Sequence, residues 1–407
     1  MATAISEPPK SAPANVYTIP PGRPFLDCLA AAILAGDLPV PGGAAPSHLD
    51  LTRFRLYLPT RRAARGLQDA FLRVAGGTAL LLPRVRPIGE GEEDESLIAG
   101  DGDGVVADPE AIRPAIGALE RRLALSELVL AWTEALRRQE ERSADQPFRS
   151  AAVHSPAQAA LLAAELARLM DKLETEGVAF GSIATLVPEA FAEHWGRTLD
   201  FLKIITEHWP GHLAERKLAS PAARRSALLT AEARFLADRP PASPVIVAGV
   251  TGSIPATAML MRVVAGLPNG ALVLPGLDLD LSAAAWTAVA GAPAHPQHRL
   301  ARLLAGLGID RSAVLALPGA APAPRLARRA RIIAEAMLPP ELTDTWADIG
   351  ERIAPLDAAE AFADVTVVAA ASAEDEAEAV ALILRQAAET AGRTAALVTP
   401  DRVLQAV

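Results

Sequence analysis

Short apolar runs, each followed by a loop and then by a helical pattern, constrain this chain more than any other feature. They fall at Val16–Ile19, Phe54–Leu58, Val245–Ala248, Ala271–Leu274, Val365–Ala369 and Thr394–Val398. A strand that is apolar on consecutive residues is covered on both faces, and helices between strands bring each strand back parallel to the last. The expected fold is α/β with a parallel-sheet core. From about Ile112 to Arg239 the helical periodicity continues with almost no strand signal, which predicts an all-α domain inserted into that core. The organisation expected is a disordered lead-in over 1–14, the first part of the core over 15–111, the helical insert over 112–240 and the second part of the core over 241–340. A linker and the incomplete start of a second core follow over 341–407.

Two segments are expected to pack loosely: an acidic, glycine-rich loop over 89–104 and a Pro/Ala stretch over 317–324. After Val365–Ala369 a helix is expected to open at Ser372, whose hydroxyl can cap the first turn, with Glu374, Glu376 and Glu378 at its positive end. Another helix start is expected at Asp401. The chain stops at Val407 before a second strand–helix–strand unit is complete, as expected of a piece of a longer protein.

Composition narrows the class. Of 407 residues 51% are hydrophobic, mostly Ala and Leu, so a large core and a helix-rich fold are expected. The net charge of −9 excludes a whole-surface nucleic-acid binder and leaves room for a local one. Cys28 is the single cysteine, so neither an intrachain disulfide nor a thiolate metal cage is available, and a reducing cytoplasmic setting fits. The N-terminus has no secretion-signal pattern, and every apolar run is broken well before the ~20 residues that span a bilayer. No membrane partner is expected.

Between Val16–Ile19 and the helical pattern from Phe25 lies Pro20-Pro21-Gly22-Arg23-Pro24. In a phosphate-binding loop, backbone N–H groups wrap the phosphates while a Lys and a following Ser or Thr serve phosphate and magnesium. Prolines lack that N–H, and no Lys-Ser/Thr pair follows, so this is a degenerate nucleotide loop. Nor does the run Val245–Ala248 end in carboxylates that could order magnesium and water: Gly249-Val250-Thr251-Gly252 follows. Asp278 and Asp280 read as acidic turn residues after a strand.

A different chemistry is suggested after Phe54–Leu58, where Pro59-Thr60 leads into Arg61, Arg62 and Arg65 on a helix whose apolar stripe is Ala63, Leu67, Ala70, Phe71 and Val74. A Thr with the N–H groups of a helix start can hold a phosphate, and the arginines add charge-assisted hydrogen bonds. A solvated basic face is the plainer account of the same residues. His208 and His212 are separated by Pro210, which should break the helix needed for a metal pair; His295 and His298 lack an acidic partner. The acidic run Glu90, Glu92, Glu93, Asp94 and Glu95 reads as a solvated loop, and no Gly-x-Ser-x-Gly elbow is present.

The span Leu56 to Phe71 resembles the second conserved motif of superfamily-one helicases, where a Thr and a basic helix meet single-stranded DNA. Together with Val16 to Arg23, Leu82-Pro83-Arg84-Val85-Arg86-Pro87-Ile88-Gly89-Glu90 and Val247 to Thr257, the whole chain is similar to the N-terminal part of the AddB family, alphaproteobacterial type. These are the B subunits of bacterial AddAB helicase–nucleases of double-strand break repair. The resemblance implies a RecA-like, superfamily-one helicase-like core that no longer hydrolyses ATP. It implies DNA contacts at Thr60, Arg61, Arg62, Arg65, Arg84 and Arg86, binding of the 3′-ended single strand with a part in hotspot recognition, and the A subunit as partner. The family's iron–sulfur cluster and nuclease magnesium belong to a C-terminal domain with four cysteines, so no cofactor is expected in this chain. Two other classes stay open on the residues alone: a self-contained α/β metabolic enzyme and a helical interaction scaffold.

Overall fold

A computed structural model describes residues 15–39, 43–88, 112–142, 155–182, 198, 200–353 and 355–400. The chain forms two compact units, Met1–Ala347 and Asp348–Val407. In the first, strands β1 (Val16–Ile19), β2 (Arg55–Leu58), β3 (Arg84–Pro87), β4 (Val245–Ala248), β5 (Gly270–Pro275) and β6 (Leu315–Ala316) build one six-stranded sheet in the order β3-β2-β4-β5-β1-β6. Every pair is parallel. Its helices are α1 (Phe25–Ala35), α2 (His48–Leu51), α3 (Arg61–Val74), α4 (Ala118–Arg142), α5 (Pro156–Thr175), α6 (Trp209–Glu215) and α7 (Pro221–Asp238). Beyond β4 come α8 (Pro255–Ala265), α9 (Ala283–Ala290), α10 (His298–Leu307) and α11 (Pro324–Ala336).

Side-chain alternation along the strands divides the core into two layers. Tyr17, Ile19, Leu56, Leu58, Ile246, Ala248, Ala271 and Val273 face a cluster completed by Leu29 and Ile33 of α1 and Leu67 and Phe71 of α3. Val16, Tyr57, Val245, Val247, Leu272 and Leu274 face the other way, against Leu229 and Leu236 of α7, Leu260 and Val264 of α8, and Leu303 and Leu304 of α10. This two-sided burial is why the strands read as unbroken apolar runs. Connections toward β3 pass over the first face and connections toward β6 over the second, as right-handed crossovers require.

The helices between β3 and β4 have a third cluster, with Leu125 and Val129 of α4, Ala163, Leu166 and Met170 of α5, and Ile204, Ile205 and Trp209. Arg121 of α4 reaches Asp171 of α5 at 2.9 Å. The Ser220 hydroxyl, which caps α7, donates to Glu174 of α5, so these helices are fastened to the helix that covers the sheet. They lie in the same compact unit as the sheet. Pro210 does not end the helix as expected: a π turn over Ile204–His208 runs directly into α6, and the wider turn just before Pro210 accommodates its ring and missing N–H.

Other expectations need correction. The Pro/Ala stretch over 317–324 is not loose: Leu317 and Ala320 are buried in the first-face cluster, and the Leu317 N–H donates to the Thr18 carbonyl at 2.9 Å. Strands β3 and β6 have no counterpart among the expected strands, being short edge strands with too few apolar residues to show periodicity. Val74, expected on the apolar stripe of α3, is 38% exposed, although Phe71 one turn before it is buried. In the second unit, Ile349–Arg352, Pro355–Ala361 and Ala373–Glu389 are helical, and the Ser372 hydroxyl accepts from the Asp375 N–H. Val365–Ala369 and Thr394–Val398 are not paired strands among the described residues. Val367 and Val398 are 90% and 93% exposed, as two parallel strands without cover on both faces cannot form a stable ladder. The lead-in, the acidic loop over 89–104 and the expected helix start at Asp401 lie outside the described residues.

One polar cluster interrupts the second-face core. Glu232 of α7 is fully buried and accepts from the Tyr57 hydroxyl, while the Arg86 guanidinium stands 3.7 Å away. Removing the carboxylate would strand a buried hydroxyl and a nearly buried cation. Glu232→Ala should therefore lower the unfolding free energy in urea by about 3–5 kcal/mol, and Glu232→Gln, which keeps an acceptor, should lose less.

Candidate nucleic-acid interface

In open parallel sheets, ligands collect at the carboxyl ends of strands, where connections leave for opposite faces. Such places include the boundary between β2 and β4 and that between β1 and β5. At the first, Thr60 is the N-cap of α3 and its hydroxyl oxygen accepts the Ala63 N–H at 3.0 Å. That oxygen is thereby committed to starting the helix. Arg61, Arg62 and Arg65 are exposed on the first turns, while Leu67, Ala70 and Phe71 hold the opposite side of α3 in the core. Gly66 allows α3 to lie close on α1: a β-carbon there would stand 2.9 Å from Leu26. Arg73 at the far end is bound to Asp27 at 2.5 Å, so it belongs to the packing of α1 on α3.

The floor between β2 and β4 is apolar. Gly249 follows β4 with φ +72°, and a β-carbon on it would lie 3.3 Å from the Phe25 ring and 3.6 Å from Pro59. Phe25 thus fills the crevice that a planar ligand would enter. What remains open at this edge is the arginine surface above it.

The degenerate loop after β1 is closed in a second way that its prolines do not reveal. Gly22 takes φ +82°, and a β-carbon on it would meet Leu326 of α11 at 3.2 Å. Arg23 points to the Gly319 carbonyl at 3.4 Å, and Pro21 packs near Gly276 across the β1–β5 boundary. The space where phosphates sit in a working loop is lined by Leu326, proline rings and a half-buried arginine. Helix α11 is absent from the residues expected at the site, yet its Leu326 packs against this loop, and the helix also contains Arg325, Arg328, Arg329 and Arg331. The arginine spacing is visible in the sequence, but nothing local says that the helix returns to the first strand.

Asp278 is a turn residue as expected: its carboxylate accepts the N–H groups of Asp280 and Leu281 at 2.8 and 3.1 Å. His295 accepts the Gln297 N–H through Nδ1, and burial pushes its pKa below the ordinary histidine value. His212 stacks on Trp209 at 5.3 Å. Among the described residues no group of His, Cys, Asp and Glu could hold a metal, and no helix is long and apolar enough to cross a membrane.

Arg84 and Arg86 are not brought to the arginines of α3. Arg84 pairs in register with Arg55, at the amino end of β2, whereas Thr60 follows its carboxyl end. Arg86 is the register partner of Tyr57, and its side chain is only 14% exposed beside Glu232. Burial pushes the Tyr57 phenol far above its ordinary range, with the Glu232 charge and hydrogen bond adding to the shift, so this hydroxyl stays a donor. Comparison with known protein families, with curated proteins and with solved structures finds no match for this chain.

A closed loop should show no nucleotide chemistry. Incubation of the chain with magnesium-ATP should release no phosphate above the rate of buffer alone. Gly22→Ala should cost about 1 kcal/mol through its positive φ without changing that result.

Proposed function

We propose that this chain is a helicase-type, RecA-like core that has lost nucleotide chemistry and binds single-stranded DNA through the first turns of α3. The observation that carries this is Arg61, Arg62 and Arg65 exposed together at the carboxyl edge of a parallel sheet whose β1 loop has no phosphate cradle. Three guanidiniums can each take a phosphate oxygen pair, which positions a strand without reading bases. Thr60 then serves by starting the helix, and the first-turn N–H groups add a positive end.

Within this proposal the helices over 112–240 act as an inserted domain and residues 341–407 as the start of a second core. The AddB resemblance then supplies the setting: the N-terminal part of the B subunit of a cytoplasmic double-strand break repair helicase–nuclease, partnered by the A subunit. The 3′-ended strand would lie on the arginine edge. Arg86 leaves the set of DNA-binding residues because its charge is opposed by Glu232. Arg84 leaves it because it stands at the other end of the sheet.

Replacing Arg61, Arg62 and Arg65 together with Ala should weaken binding to labelled single-stranded DNA and leave the fold intact, since none packs in the core. The slope of log K against log salt should become shallower by ~0.7 for each phosphate that no longer meets an arginine, and so by about 2 for the three together. Unchanged affinity and slope in the triple variant would show that this helix is only a solvated basic face.

A further inference from the structure

At the opposite end of the sheet, where β2, β3 and β4 begin, the surface opens into a cavity of about 870 Å³. The range for small-molecule sites is about 300–1,000 Å³. Its titratable lining among the described residues is Arg53, Arg55, Arg84 and Arg239 against the single carboxylate of Asp50. In a chain whose net charge is −9, four arginines lining one recess are a local reversal of sign.

The backbone fixes where these arginines start. Arg53 and Arg55 flank the buried Phe54, so both are tied to the entry of β2. The Arg55 N–H donates to the Pro244 carbonyl at 2.9 Å, and the Arg84 N–H donates to the Phe54 carbonyl at 3.0 Å. Arg55 and Arg84 are register partners on adjacent strands. Arg239 ends α7, with its guanidinium 5.8 Å from the centre of the Phe235 ring. Residues 43–46 and 241–244 complete the lining of this half-open recess.

Asp50 opposes an anion less than its charge suggests. Its carboxylate accepts the Ser47 hydroxyl at 2.6 Å and the Ser47 N–H at 3.2 Å, closing the capping box of α2.

We propose that this cavity is a binding site for a compact polyphosphate, two or more adjacent phosphates carried by a small molecule, and that it is separate from the DNA edge. One phosphate occupies one or two arginine forks, and four arginines around one recess suit at least two. The proposal does not depend on the DNA-binding assignment, because it uses none of the arginines of α3.

The test is calorimetric titration of the full chain at low salt with sodium pyrophosphate and, separately, with ADP. Saturable one-site binding of pyrophosphate is expected. It should weaken at least tenfold in Arg53→Gln/Arg239→Gln, tighten in Asp50→Asn and remain unchanged in the Arg61, Arg62 and Arg65 alanine variant. Equal affinity for ADP assigns recognition to the diphosphate; tighter ADP binding adds a nucleoside contact, and both support the site. No saturable binding of pyrophosphate, or equal binding by a folded double variant, overturns it. If the double variant unfolds, Asp50→Asn decides: affinity that fails to rise overturns the proposal. Loss of single-stranded DNA binding in the double variant, without pyrophosphate binding by the parent chain, would instead make the cavity part of a DNA path and also overturn it.

Discussion

Strand β1 has no neighbour until the chain has run far beyond it. Val16–Ile19 pairs with Leu272–Pro275 on one side and Tyr17–Thr18 with Leu315–Ala316 on the other, so the fold depends on pairings about as non-local as this unit permits. Closing such loops costs entropy that grows only as the logarithm of length, but that cost precedes any burial it makes possible. The sheet meets it by making β1 doubly buried. Val16, Tyr17 and Ile19 are essentially inaccessible, and the Thr18 hydroxyl donates to the Leu274 carbonyl and accepts the Leu277 N–H. A parallel strand needs cover on both faces, and β1 receives it from helices on either side.

This dependence explains what can be read from sequence. The central strands are legible because burial on both faces leaves no polar alternation, and α3 is legible because Leu67, Ala70 and Phe71 repeat at helical spacing. Edge strands carry no such signature: β3 contains Arg84, Arg86 and Pro87, and β6 has two residues. The apolar segments around Val367 and Val398 show the converse. Strand propensity without a partner and a covered face leaves extended chain.

The candidate site is legible in parts for a similar reason. Prolines in the β1 loop announce missing N–H donors, since that is a property of the residue itself. Leu326 on Gly22, Phe25 against Gly249, and Glu232 beside Arg86 leave no local trace, because each joins segments far apart in the chain. Arginine is the least informative residue type in this chain. Arg61, Arg86 and Arg84 look alike in sequence. One lies on the exposed edge, one opposes a buried carboxylate, and one lines a cavity at the other end.

Charge placement decides how these arginines act together. Strands of four to six residues set the carboxyl and amino edges of the sheet apart, by roughly 13–20 Å at ~3.3 Å per residue. The Debye length at physiological ionic strength is ≈ 8 Å, so charges at one edge are largely screened from those at the other. The net charge of −9 therefore does not cancel either basic edge; it keeps the remaining surface from competing for polyanions. Glu232 follows the opposite logic. Buried between the two edges, it is shielded from salt, and its interaction with Arg86 and Tyr57 acts on the packing of α7 against β2 and β3 at any ionic strength. Salt thus separates the roles: it weakens anion binding at the edges while leaving the buried cluster and the fold it fastens in place.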